Sequence, residues 1–211
     1  MYFNLRKEVV EVSKLEEYII DNYKSDFVGD NDHWTIINTI NHVCCWKKIA
    51  VSRVENNIKG VPDNILEGKN IDVINNELYV KTLKYTEIET RSFIKQCENE
   101  IQNLYVKLNN NDKSSEYVPQ DREGTLFDYL KGDLLYHPMS HYLYYAIRNN
   151  EYSLFLELKK YIVKTSDTVY KDLSVIDLKE IIDPSKYIEI FGKNAEWKKD
   201  DLFIKIKKLT A

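Results

Sequence analysis

Only six glycines and four prolines punctuate 211 residues, and that scarcity constrains the fold more than any other feature of the chain. Long stretches without a backbone breaker favour helices over a sandwich of short strands. Within those stretches apolar residues recur every three or four positions, which places them on one side of a helix that must be buried. Leu5, Val9, Val12, Leu15, Ile19 and Tyr23 form such a stripe and predict a first helix over about residues 3–24, closed by the turn formers Gly29-Asp30-Asn31-Asp32. Ile36, Ile37, Ile40, Val43, Trp46, Ile49 and Val54 predict a second, from Thr35 to about Ile58, stopped by Gly60 and Pro62.

From Val61 to about Tyr85 no period is sustained, and Pro62, Asp63 and Gly68 fall inside, so the segment reads as a long crossover with room for short strands or turns. A third helix follows over about Thr86 to Leu108, with Ile94, Cys97, Ile101, Leu104 and Leu108 as a bundle seam. The fourth begins near Thr125, whose Thr125-x-x-Asp128 pattern can cap reciprocally, and runs to about Arg148. A bend is expected near Pro138, because its ring removes a backbone donor and crowds the preceding turn. Leu154, Phe155, Leu158, Tyr161 and Ile162 predict a fifth helix over about Glu151 to Val163, and shorter ones follow near 173–182, 185–191 and 198–209. The expected fold is all-α: a four-helix bundle over residues 1–165 with a long connection between its second and third helices, and a helical extension over 166–211 packed on it.

Composition narrows the function classes. A formal charge of −4, with acidic and basic residues interleaved, offers no basic stripe for a phosphate backbone, so nucleic acid is not an expected partner. No apolar run approaches the roughly 18–20 residues of a membrane span, and residues 1–6 lack a signal-peptide core, so the chain reads as cytoplasmic and free of membranes. Cys44, Cys45 and Cys97 are odd in number and two are adjacent, which suits reduced, buried thiols better than disulfides.

The chemistry lies in the histidines. Of four in the chain, His137 and His141 stand four apart, which puts both on one helix face, where two imidazoles can aim at one ion. Two ligands from one helix bind weakly, and a third is usually recruited from a neighbouring element. His42, in the middle of the second helix among Ile40, Val43 and Ile49, is the candidate; the competing reading for all three is an interior histidine that is merely hydrogen-bonded. His33, at a helix entrance, reads as surface. Asp133, four before His137, and Tyr145, four after His141, are candidate second partners or proton carriers at the site, against ordinary surface or core positions. Asn38 has a similar ambiguity between capping Thr35 and orienting His42.

The segment Trp34-Thr35-Ile36-Ile37-Asn38-Thr39-Ile40-Asn41-His42-Val43-Cys44-Cys45-Trp46 resembles the second-helix signature of the DinB/YfiT-like superfamily, in which Trp-Ser/Thr opens the helix and a His precedes a Trp by four. Tyr136-His137-Pro138-Met139-Ser140-His141 resembles that superfamily's paired histidines on the fourth helix. The resemblance covers about residues 1–165. The chain departs from it at Asn38, where an acidic residue commonly completes the cap, so weaker capping is expected; Pro138 between the paired histidines also bears on their geometry. The resemblance implies a metal-binding four-helix bundle with one divalent ion, zinc or nickel, held by His42, His137 and His141. It also implies a low-molecular-weight thiol as co-substrate and a small electrophilic molecule as substrate of a transferase or hydrolase. Two further readings stand beside it: a non-catalytic module that sequesters a toxic small molecule, and a structural homodimer.

Overall fold

In a computed structural model of the chain, the described residues are 2–23, 34–62, 64–66, 68–109, 118–119, 125–148, 151, 153–154 and 157–158. They are mostly helical and contain no strand, in agreement with the all-α expectation. The helices are α1 (Tyr2–Asn22), α2 (Ile36–Lys59), α3 (Ile71–Thr82), α4 (Glu87–Asn109), α5 (Leu126–Lys131) and α6 (His137–Arg148). A π-helical turn, Gly132–Tyr136, joins the last two into one continuous helical stretch. The chain divides into two compact units, Met1–Phe27 with His33–Pro138, and Val28–Asp32 with Met139–Ala211.

In the first unit α2 and α1 both lie along α4, α3 packs on α2, and the π turn packs against α1 and α2. The stripes read from the sequence are the core: all six residues of the α1 stripe are buried, as are Ile94, Cys97, Ile101, Leu104 and Leu108 of α4. Burial of this many branched side chains removes apolar surface from water at about 25 cal/mol per Å², which is what holds short helices in place. Helix α2 is buried at nearly every position from Ile36 to Lys47, polar residues included.

One of those polar residues is charged. Lys47 of α2 is fully enclosed and donates from Nζ to Oε1 of the equally enclosed Glu16 of α1 at 2.5 Å. Burial opposes the Lys47 charge, but the charge and hydrogen bond of Glu16 outweigh it and hold the ammonium above its ordinary pKa. Such a pair adds little net stability relative to an apolar pair, yet removal of one partner leaves the other charge stranded. It fixes α2 against α1 at the level of the second helix's midpoint.

Two sequence expectations need correction or refinement. The stretch Val61–Tyr85 is not an unstructured crossover: it contains α3, capped by Asn70, whose Oδ1 accepts from the Asp72 N–H at 2.7 Å. Helix α3 escaped the periodicity because it buries only Ile74 and Thr82, while Ile71, Val73 and Val80 are half exposed or more. The second concerns Pro138. Its ring cannot donate to the carbonyl of Leu134, and the disturbance takes the form of the π turn, within which the His137 N–H pairs with the Gly132 carbonyl five residues back.

In the second unit, Met139, Tyr142, Tyr145 and Ala146 of α6 are buried. Leu154 and Leu158 are helical and buried, the face expected of a fifth helix. The rest of that helix, the shorter helices towards the C-terminus, the 165/166 boundary, the first turn and His33 lie outside the described residues.

Candidate metal centre

The entrance to α2 is fixed by its cap. Thr35 has extended backbone, its side chain accepts from the Asn38 N–H at 3.2 Å, and Asn38 Oδ1 accepts in return from the Thr35 N–H at 3.0 Å. The reciprocal box is therefore complete with asparagine in the acidic position, and the Asn38 carbonyl oxygen serves the cap. From that start, His42 falls on the same face as Trp46 one turn later. At the other end of the chain, Thr125 and Asp128 form a second complete box that starts α5, and the continuous stretch from α5 through the π turn delivers His137.

The structure brings His42, His137 and His141 together. The rings of His42 and His137 have centroids 5.4 Å apart at 66°, and one candidate ligand nitrogen from each of the three histidines lies within 4.8 Å of the others. Two nitrogens bound to one zinc at tetrahedral angle, each about 2.0–2.1 Å away, are about 3.4 Å apart. The observed spread exceeds that separation by at most about 1.4 Å. His42 is 3% exposed, and the other two are part-buried.

Their protonation suits ligation. Burial, reinforced by the neighbouring His137, lowers His42 to about 3. Burial and the positive charge of Lys47 lower His137 to about 4, and burial alone lowers His141 to about 4. At neutral pH all three imidazoles are uncharged and each has a lone pair to offer. A set of three neutral nitrogen donors fits zinc or another borderline divalent ion, and the spacing admits one such ion.

Aromatic rings wall the cluster. Trp34 lies 4.9 Å from the His42 ring, and Trp46 lies 6.4 Å from His42 and 6.1 Å from His137. Both indoles are held from behind by α3: Tyr79 stacks on Trp34 at 5.3 Å with rings 4° from parallel, and the Trp46 Nε1–H donates to Asn75 Oδ1 at 3.0 Å. Periodicity alone gave no reason to single out Asn75 and Tyr79, because the helix that carries them has no buried stripe. The available signal was local: a capping Asn70 ahead of an i, i+4 pair on one helix face.

Asp133 sits in the π turn one turn before His137 and is part-buried; Tyr145 follows His141 by one turn and is fully buried. The thiols stand apart from the ligand set. Cys44, Cys45 and Cys97 are all free and buried. Cys97 Sγ lies 3.4 Å from the Cys44 carbonyl, the Cys44 thiol is raised by its hydrogen bond with Cys97 and by burial, and burial lifts Cys45 to about 11. Thiols held protonated in this way are poor nucleophiles. Among the described residues, no helix is long and apolar enough to cross a membrane. No family model, curated protein or solved structure matches the chain.

Proposed function

We propose that this chain is a metal-dependent transferase or hydrolase of the DinB/YfiT-like kind, acting on a small electrophile, with conjugation to a low-molecular-weight thiol as its leading reaction. The observation that carries the reading is the convergence of three neutral imidazoles from α2 and α6 within 4.8 Å. A bound divalent ion, zinc or nickel, supplies Lewis acidity that favours a thiolate or hydroxide at neutral pH.

The chain's own residues do the rest. His42, His137 and His141 hold the ion, and the indoles of Trp34 and Trp46 keep water from that side of it. A thiol that enters gives up its proton, its sulfur forms a bond to the electrophilic carbon, and the leaving group departs with the electrons of the broken bond. Of the two candidate proton carriers, Asp133 keeps part of its exposure and is assigned to pass that proton to solvent, while Tyr145 is enclosed and is assigned to positioning.

The test is turnover. Protein loaded with zinc or nickel is mixed with 1-chloro-2,4-dinitrobenzene and a panel of small thiols, and the rate is compared with the uncatalysed reaction. The reading predicts multiple turnovers that fall at least about tenfold in His137→Ala. Absence of turnover with every thiol contradicts thiol transfer, and capture of one equivalent of electrophile without product assigns the chain to sequestration instead.

A further inference from the structure

A quarter of a turn around α2 from the histidine face, a cavity of about 520 Å³ opens between α2, α3 and α4. That volume is in the range of sites that enclose small organic ligands. None of the three histidines lines it, so it is a second site and not the mouth of the first. We propose that this cavity binds a small amphiphilic organic anion, with its apolar body between α2 and α4 and its charged end at Lys81 of α3.

The apolar part of the wall is Ile49, Leu78 and Phe93, with Tyr85 edge-on to Phe93 at 5.7 Å. The polar part is cationic. Lys48 lies over the Phe93 ring at 5.8 Å and is neutralised by Glu100 at 2.9 Å. Lys81 also lines the cavity and makes no ion pair among the described residues. Glu89, the carboxylate of the lining, is committed elsewhere: it caps α4 by accepting from the Thr86 N–H at 2.7 Å and hydroxyl at 2.8 Å.

The hydroxyls of Thr82 and Ser92 spend their protons on the carbonyls of Leu78 and Ile88 in their own helices. Lys81 is therefore the group that selects among ligands: Lys48 is matched by Glu100, whereas the Lys81 ammonium has no carboxylate paired with it among the described residues and can meet an anionic group. The Cys45 thiol also lines the cavity, where burial keeps it protonated; it is a polarizable surface there and takes no part in covalent chemistry. The aromatic and aliphatic lining adds affinity in proportion to the ligand area it covers.

The experiment uses the full chain and two fluorescent probes of similar aromatic body, the anion 8-anilinonaphthalene-1-sulfonate and the neutral N-phenyl-1-naphthylamine. Three proteins are titrated: the natural chain, Lys81→Met, which keeps the apolar stem and removes the charge, and Ser92→Trp, which fills the cavity from an exposed position. Far-UV circular dichroism verifies that each is folded, and a misfolded Ser92→Trp is replaced by Ser52→Trp. The expected result is saturable binding of the anion to the natural chain, weakened at least about tenfold by Lys81→Met. The neutral probe is expected to bind the natural chain and Lys81→Met alike, and both probes are lost when the cavity is filled. No saturable binding of the anion to the natural chain, or equal binding to all three, overturns the site. Loss on filling with no effect of Lys81→Met overturns the selection for an anion.

Discussion

Helices α2 and α3 frame the same cluster of histidines and do so by opposite means. Helix α2 is enclosed on almost every side from Ile36 to Lys47, capped at Thr35 and pinned to α1 by the Lys47–Glu16 pair. Helix α3 buries Ile74 and Thr82 and leaves Val73 and Val80 more than half exposed. The first places a ligand, His42; the second places what stands behind the walls, Asn75 and Tyr79. A ligand must be held to a fraction of an ångström, whereas a wall need only exclude water, so the tightly packed helix carries the ligand and the loosely packed one carries the support.

That contrast makes quantitative demands. The largest effect is expected at the buried ion pair: Glu16→Ala strands the Lys47 ammonium and should cost about 3–5 kcal/mol in urea unfolding, while the double change Glu16→Leu with Lys47→Met restores most of it. A cost below about 1 kcal/mol for the single change would mean that α2 is not anchored there. Acid should act next, through the histidines of the metal-free protein. Their folded pKa values, about 3 for His42 and about 4 for His137 and His141, lie below the unfolded value of about 6.5. The unfolded chain thus binds more protons as pH falls, and stability present above pH 6.5 is lost progressively towards pH 4. By pH 5 the loss is of order 1–2 kcal/mol for each histidine. A metal-free unfolding midpoint that stays flat from pH 7 to pH 5 would place the imidazoles in water instead of in the bundle.

Smaller effects belong to α3. Asn75→Ala removes the acceptor of the Trp46 indole and should cost about 0.5–1.5 kcal/mol, with tryptophan fluorescence shifted because the indole loses its partner. Val80→Lys, on the outward face, should fall within about 0.5 kcal/mol of the natural chain. A large loss at Val80 would show that α3 is covered by something, and would erase the distinction between the two helices.

The same contrast explains what the sequence disclosed. A helix is legible when burial forces its apolar residues into a stripe, so α1, α2 and α4 could be drawn from Leu5, Ile40 or Ile101 and their neighbours with nothing further. Helix α3 buries only one isoleucine and one threonine, with Leu78 and Tyr79 part-buried and Ile71, Val73 and Val80 exposed, so burial left no periodic stripe on it. The histidines were legible for a related reason. His137 and His141 are local to one helix and announce themselves by spacing, and His42 stands in a run that had to be interior. That these rings meet is a tertiary fact, set by how the helix through the π turn crosses α2, and no local pattern contains it. Nor does any local pattern contain Asn75 behind Trp46, since 29 residues separate the partners.

The metal content of the purified chain tests the centre most directly. Protein expressed without a histidine tag, dialysed against zinc and then against metal-free buffer, should retain about one equivalent of the ion by elemental analysis. His42→Ala and His137→Ala, folded by circular dichroism, should each retain less than a tenth as much. Equal and negligible metal in all three proteins, or one equivalent kept by both variants, would contradict the convergence of His42, His137 and His141 on a single ion.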